Sequence, residues 1–147
     1  MRVQSMLLSK VCLPLDMTLA PEDDRDGIGC VKSANNQTYG HNLVLQAKLQ
    51  QLRTQFPHAV ITYADYWNAY FTVMKNPNQY GDPYNFEVFA VCGTPSASAC
   101  PSPSQYINWD GVHLTEAMYK VLTDMFLNGK ATHPSFSYLL DMKLRRE

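Results

Sequence analysis

The sequence predicts an α/β domain from three consecutive segments. Leu45, Leu49, Leu52 and Phe56 recur at four, three and four residues and mark one apolar stripe of a helix. Ala59 to Ala64 is a β-branched and aromatic run typical of a buried strand, and a second helical stretch follows from Tyr66 to Lys75. Helix, strand, helix in this order implies layered α/β packing around a parallel sheet. The 147 residues have the length of one domain, a size that buries roughly 68–70% of its unfolded surface. Residues 1–147 are therefore read as a single unit with one core.

The elements follow in order. The apolar run from Val3 to Leu15 reads as the end of a strand leading into a loop. Glu22 to Gly27, after Pro21, reads as a solvated acidic loop without the ligand spacing of an EF-hand. The first helix runs from Ser33 to Phe56, with Ser33, Asn35 or Asn36 as its cap and Pro57 as its stop; His41 is a surface residue on it. Asp65 opens the helix over Tyr66 to Lys75, and Asn76-Pro77 ends it. Residues 80–108 hold four prolines, two of the seven glycines and two cysteines, and form a long loop. Thr115 caps a helix from Glu116 to Leu127 that turns Met118, Val121, Leu122 and Met125 inward and stops at Asn128-Gly129. Residues 141–147 are expected to be a frayed tail, exposed from Lys143 to Glu147.

Bulk properties narrow the function classes. A net charge of −1 leaves no electrostatic footprint for nucleic acid, so no nucleic-acid partner is expected. No apolar run approaches the roughly 20 residues that cross a bilayer, and no transmembrane segment is expected. The start, Met1 to Lys10, offers a Met-Leu-Leu triplet where a secretory signal needs roughly 7–15 apolar residues, so no signal peptide is read. Cys12, Cys30, Cys92 and Cys100 lack the Cys-x-x-Cys spacing of zinc or redox sites, and disulfides are their expected use. The pairing that closes short loops, Cys12–Cys30 with Cys92–Cys100, is one of three.

The chemistry concentrates at Trp109-Asp110-Gly111-Val112-His113-Leu114-Thr115-Glu116-Ala117, with a carboxylate three residues before an imidazole. In a serine-hydrolase triad the imidazole takes the proton of the nucleophile, and the carboxylate fixes its tautomer and stabilises the imidazolium. One turn brings both side chains together, and Gly111 permits a tight or left-handed backbone between them. A turn aspartate before a partly buried histidine also occurs without chemistry. A metal reading would recruit His133, which lies 20 residues beyond His113 and precedes Pro134 in a stretch read as unstructured.

The block Tyr106 to Ala117 closely resembles the last sequence block of the plant GDSL esterase/lipase family, part of the SGNH hydrolase superfamily. Tyr63-Ala64-Asp65-Tyr66-Trp67-Asn68-Ala69-Tyr70 resembles that family's strand-to-helix junction, and Asp26-Gly27-Ile28-Gly29-Cys30-Val31-Lys32 its Gly-Cys segment before a long helix. Cys12-Leu13-Pro14-Leu15, Pro83-Tyr84-Asn85-Phe86 and Cys92-Gly93 through Cys100 are similar to further family segments, so the likeness covers nearly the whole chain. It implies a flavodoxin-like three-layer α/β/α domain, here partial and lacking its N-terminal strands and helices. It also implies hydrolysis of carboxylic esters through an acyl-enzyme, with Asp110 as the acid of the triad and His113 as its general base. The implied substrate is a small-molecule or lipid ester, the implied location is extracellular, and no cofactor or metal is implied.

The sequence departs from the family pattern in two places. It contains no Gly-Asp-Ser nucleophile block and no Gly-x-Asn-Asp block, so the likeness begins after the third of four family blocks and the chain reads as the C-terminal part of a longer enzyme. At Tyr80-Gly81-Asp82-Pro83 it lacks a glycine-rich insertion that usually carries cysteine. Ser96, Ser98, Ser102 and Ser104 lie in the irregular loop rather than on a strand-to-helix elbow, so none is expected to replace the nucleophile. Two readings follow: an ester hydrolase of the GDSL type that retains its Asp/His part, or a non-catalytic remnant or binding protein. A doubly wound domain without its first strands exposes a sheet edge, through which self-association is expected.

Overall fold

A computed structural model describes residues 12–80, 95, 97, 101–128 and 130–144. The helices are α1 (Pro14–Leu19), α2 (Lys32–Gln55), α3 (Tyr66–Lys75), α4 (Glu116–Leu127) and α5 (Phe136–Leu144), with short 3-10 turns at Pro77–Gln79 and Pro103–Gln105. Two short strands, β1 (Tyr63–Ala64) and β2 (Thr132–His133), complete the described elements. The expected apolar run at residues 3–11, the Cys92–Cys100 pairing and the Pro83 to Phe86 segment lie outside the described residues.

The core sits between α3 and α4, with the segment leading into α4 as its third wall. Tyr70 and Val73 of α3 meet Met118 and Leu122 of α4, together with Ile107 and Leu114, and all are nearly or fully buried. Local chemistry accounts for both helices. The Asp65 side chain accepts the N–H of Asn68 at 3.1 Å at the start of α3, and Thr115 accepts the N–H of Met118 at 3.2 Å at the start of α4. Each bond satisfies one of the orphan donors of a helix N-terminus, as the sequence predicts. Val121 and Met125 pack against the same core as expected.

Several expectations change. Residues 14–16 belong to α1 rather than to a strand or loop: Pro14 occupies the first helical turn, where its missing N–H has no partner to lose. The acidic loop is organised rather than merely solvated. Asp24 accepts the backbone N–H of Ser33 at 3.0 Å and also its hydroxyl, thereby capping α2 from a distance of nine residues. The Ser33 hydroxyl holds the Asp24 carboxyl below its ordinary range, against the opposing effect of burial. Asp26 accepts the N–H groups of Ile28 and Cys30 at 3.0 Å each, in a turn completed by Gly29 at φ 84°. Cys12 and Cys30 form a disulfide with Cα atoms 4.5 Å apart, which ties the start of α1 to the entry of α2.

The stripe on α2 has the expected phase but a different character. Asn35, Thr38, Asn42 and Leu49 are its buried residues, whereas Leu52 and Phe56 are exposed. Periodicity reports which face can be covered, and among the described residues only part of that face is. The far end of α2 is held instead by Arg53, which donates through Nε and Nη2 to the carbonyl of Ile61 at 3.0 and 2.9 Å and through Nη2 to that of His133 at 2.8 Å.

The described sheet is also smaller than expected and has the opposite direction. β1 pairs antiparallel with β2, with Tyr63 opposite His133 and Ala64 opposite Thr132, so the expected parallel pairing is not what these residues form. The β-branched run at 59–64 announced a strand but could not announce its partner, because pairing is set by contacts distant in sequence. The sequence gives no sign of β2 around His133, because two strand residues are too few to carry a pattern. Residues 141–144, the start of the expected tail, form the last turn of α5, where Leu139 is buried and Leu144 exposed; residues 145–147 lie outside the described residues.

Candidate functional site

Asp110 and His113 lie on a closed turn at the entrance to α4. Asn108 and Leu114 form an antiparallel bridge at its base, Thr115 N–H donates to the Ile107 carbonyl at 3.0 Å, and Trp109 N–H donates to the His113 carbonyl at 2.9 Å. Ile107, Asn108, Leu114 and Thr115 are buried, so the base of the turn is part of the core while its tip reaches solvent. The Thr115 hydroxyl donates to the Tyr106 carbonyl at 2.6 Å while accepting from α4, joining turn and helix through one side chain.

At the tip one carboxylate organises the backbone and the ring together. Asp110 Oδ1 accepts the N–H groups of Val112 and His113 at 2.7 and 2.6 Å, the local pattern that favours aspartate at turns. Its Oδ2 lies 2.8 Å from His113 Nδ1. Burial pushes the Asp110 carboxyl up, but the hydrogen bonds from the His113 backbone, the His113 ring and the Val112 N–H outweigh it and hold the group below its ordinary range. An ionised carboxylate only accepts, so His113 Nδ1 carries the proton of this bond, and in the neutral form of an imidazole so held the other nitrogen is the acceptor. The His113 side chain is 68% exposed, against 21% for Asp110, so the ring is reachable while its partner is sheltered.

Three further residues support the turn that sequence reasoning had not singled out. Leu15 N–H of α1 donates to the Gly111 carbonyl at 3.1 Å. Tyr70 of α3 donates its hydroxyl to Asn108 Oδ1 at 3.1 Å, with both residues buried. The available signal was an amide, Asn108, standing beside Ile107 in a stretch that has to be buried. His133 does not join the pair: among the described residues no three His, Cys, Asp or Glu side chains gather where a metal ion could be held. Ser102 and Ser104 are exposed at the Pro103–Gln105 turn. No described helix is long and apolar enough to cross a membrane.

General bases of hydrolases use an imidazole oriented through Nδ1 by a carboxylate, and Asp110 and His113 make that contact here. Comparison with known proteins supplies the family. Residues 3–126 match the GDSL-like Lipase/Acylhydrolase family, and the chain belongs to it. It is 61% identical over 145 residues to the GDSL esterase/lipase At3g48460 of Arabidopsis thaliana, an overlap covering 90% of this chain and 38% of the relative. It is 38% identical over 121 residues to Acetylajmalan esterase 2 of Rauvolfia serpentina, covering 74% of this chain and 33% of that protein. The GDSL esterase/lipase At2g27360 of Arabidopsis thaliana is 37% identical over 131 residues, with 80% and 33% covered. The chain thus spans between 33% and 38% of the length of these relatives. No solved structure matches it.

Proposed function

We propose that these 147 residues carry the acid and the base of an ester hydrolase of the Ser-His-Asp type. The observation that carries the reading is the 2.8 Å contact between Asp110 Oδ2 and His113 Nδ1, together with the exposure of the ring. In the reaction His113 Nε2 takes the proton of a seryl hydroxyl as the oxygen attacks the ester carbonyl. The Asp110 carboxylate stabilises the imidazolium so formed, and His113 returns the proton to the leaving alcohol. Water repeats the sequence to release the acid. The serine and the oxyanion donors are not assigned to residues of this sequence, which has no Gly-Asp-Ser segment. The substrate class is a small-molecule or lipid carboxylic ester, in keeping with the esterase and lipase names of the relatives. The Cys12–Cys30 disulfide supports an extracellular location, because such bonds persist in oxidising compartments.

The test is a graft in which the part of the 61% identical Arabidopsis relative not matched by this chain is joined to these residues. Hydrolysis of a short-chain p-nitrophenyl ester by the graft, lost in His113→Ala, is the expected result. A graft that folds and hydrolyses equally well with His113→Ala would refute the assignment. An inactive graft with the native fold would favour the second reading, a non-catalytic remnant or binding protein.

A further inference from the structure

The hydrogen bond between Tyr70 and Asn108 lies inside the core, where α3 meets the turn. Both side chains are almost wholly shielded from solvent, among Val73, Ile107, Leu114 and Met118. Burying a phenol hydroxyl and an amide together is at best weakly favourable relative to two apolar side chains of the same shape. Asn108 Nδ2, moreover, is buried with no hydrogen-bond partner among the described residues. A hydrogen bond between two buried side chains is directional where apolar packing is not, so the pair fixes an orientation as well as filling space.

What it fixes is the root of the Asp110–His113 turn. Asn108 is one end of the bridge to Leu114, and only Trp109 stands between it and Asp110. Tyr70 belongs to α3, whose start is set by the Asp65 cap and whose buried face includes Ala69, Tyr70, Val73 and Met74. The bond therefore refers the turn to a rigid helix 38 residues earlier in the chain. A buried polar contact of this kind selects one register among several packings that apolar residues would accept equally. Asn108 and Leu114 close the turn, so loosening their bridge loosens the backbone on which the local contact between Asp110 and His113 is built.

We infer that Tyr70 is a positioning residue for the candidate general base, acting through Asn108 to hold the turn in the one register that places the Asp110 carboxylate on His113 Nδ1. The inference rests on the reading of Asp110 and His113 as acid and base. It assigns Tyr70 no contact with substrate.

The experiment is nitrogen and proton NMR of the His113 ring in the full 147-residue chain, with Tyr70→Phe as the first variant and Asn108→Leu as the second. The native chain is expected to show a protonated Nδ1 with a slowly exchanging proton and an unprotonated Nε2. Each variant is expected to lose that slowly exchanging signal and to mix the two tautomers. Val73→Ala on the same helix lowers stability without touching the bond, and is expected to keep the signal. Retention of the signal in Tyr70→Phe, or its equal loss in Val73→Ala, would overturn the inference. Asp110→Asn separates the two claims. If it leaves the ring unchanged, the acid–base reading itself fails; if it changes the ring while Tyr70→Phe does not, only the positioning role fails. In the graft, Tyr70→Phe is expected to lower kcat by about tenfold with little change in KM, as for a misplaced catalytic group. A change confined to KM would also overturn the inference.

Discussion

The backbone N–H of Leu15 donates to the carbonyl of Gly111 at 3.1 Å, so that a short helix at one end of the described chain braces the turn that carries Asp110 and His113. Helix α1 is in turn anchored by Cys12, which sits in the left-handed region at φ 53° and is bonded to Cys30. Removing the disulfide frees a loop of sequence separation 18 in the unfolded chain. The double change Cys12→Ala and Cys30→Ala is expected to cost about 3 kcal/mol of stability. Urea unfolding of the variant, and of the native chain under reductant, should agree; an unchanged midpoint in both would show that the bond contributes nothing.

Thr115 makes two bonds at the junction of turn and helix, one to the Tyr106 carbonyl and one from the Met118 N–H. Thr115→Ala leaves both partners without it and is expected to destabilise the chain by about 1–2 kcal/mol. Thr115→Ser retains the hydroxyl and should recover most of that loss. Equal denaturation midpoints for Ala and Ser would count against the capping account.

Burial, reinforced by the charge of Asp65 and its hydrogen bond, pushes the Tyr63 phenol up to about 12. The folded chain therefore holds this proton more tightly than the unfolded chain, whose phenol titrates near 10. The resulting stability is complete below about pH 10 and is lost as the pH rises towards about 12. Phenolate absorbance should show one of the nine tyrosines ionising late, and Tyr63→Phe should remove that step. A Tyr63 that ionises with the exposed tyrosines would contradict the burial described for β1.

Asp110→Asn keeps the shape of the turn but removes the charge that holds Nδ1–H. An amide at this position favours the wrong tautomer of the ring, and in the graft kcat is expected to fall by about 10⁴-fold. Stopped-assay rates within tenfold of the parent would show that His113 does not depend on this carboxylate.

The elements that the sequence disclosed were those written in local chemistry. Asp65 before an aromatic and apolar helix, Thr115 before a second, and Asn76-Pro77 as a stop each act on neighbours within one turn, and α3 and α4 follow from them. The Asp110 to His113 spacing belongs to the same class, because the whole bond network of the tip lies within four residues. What stayed hidden acts over longer range. Asp24 caps a helix nine residues away, β1 finds its partner near residue 133, and Tyr70 reaches Asn108 across 38 residues. No periodicity encodes such choices, since many partners of equal polarity exist and packing alone selects among them. Helix α2 lies between the two cases: its stripe had the right phase, but the sequence did not say how much of it would be covered.

Arg53 bonds the carbonyl of Ile61 nearby and that of His133 eighty residues on. On a ribosome the two ends of this clasp appear at different times. Helix α2 and the first strand residue leave the exit tunnel before Thr132 and His133 exist, and until then the guanidinium lacks the His133 carbonyl and β1 lacks the partner it has among the described residues. The sheet is thus closed only once the segment around His133 has been translated, and a chain stopped before that point would hold its arginine, its strand edge and the end of α2 open to whatever else is in reach.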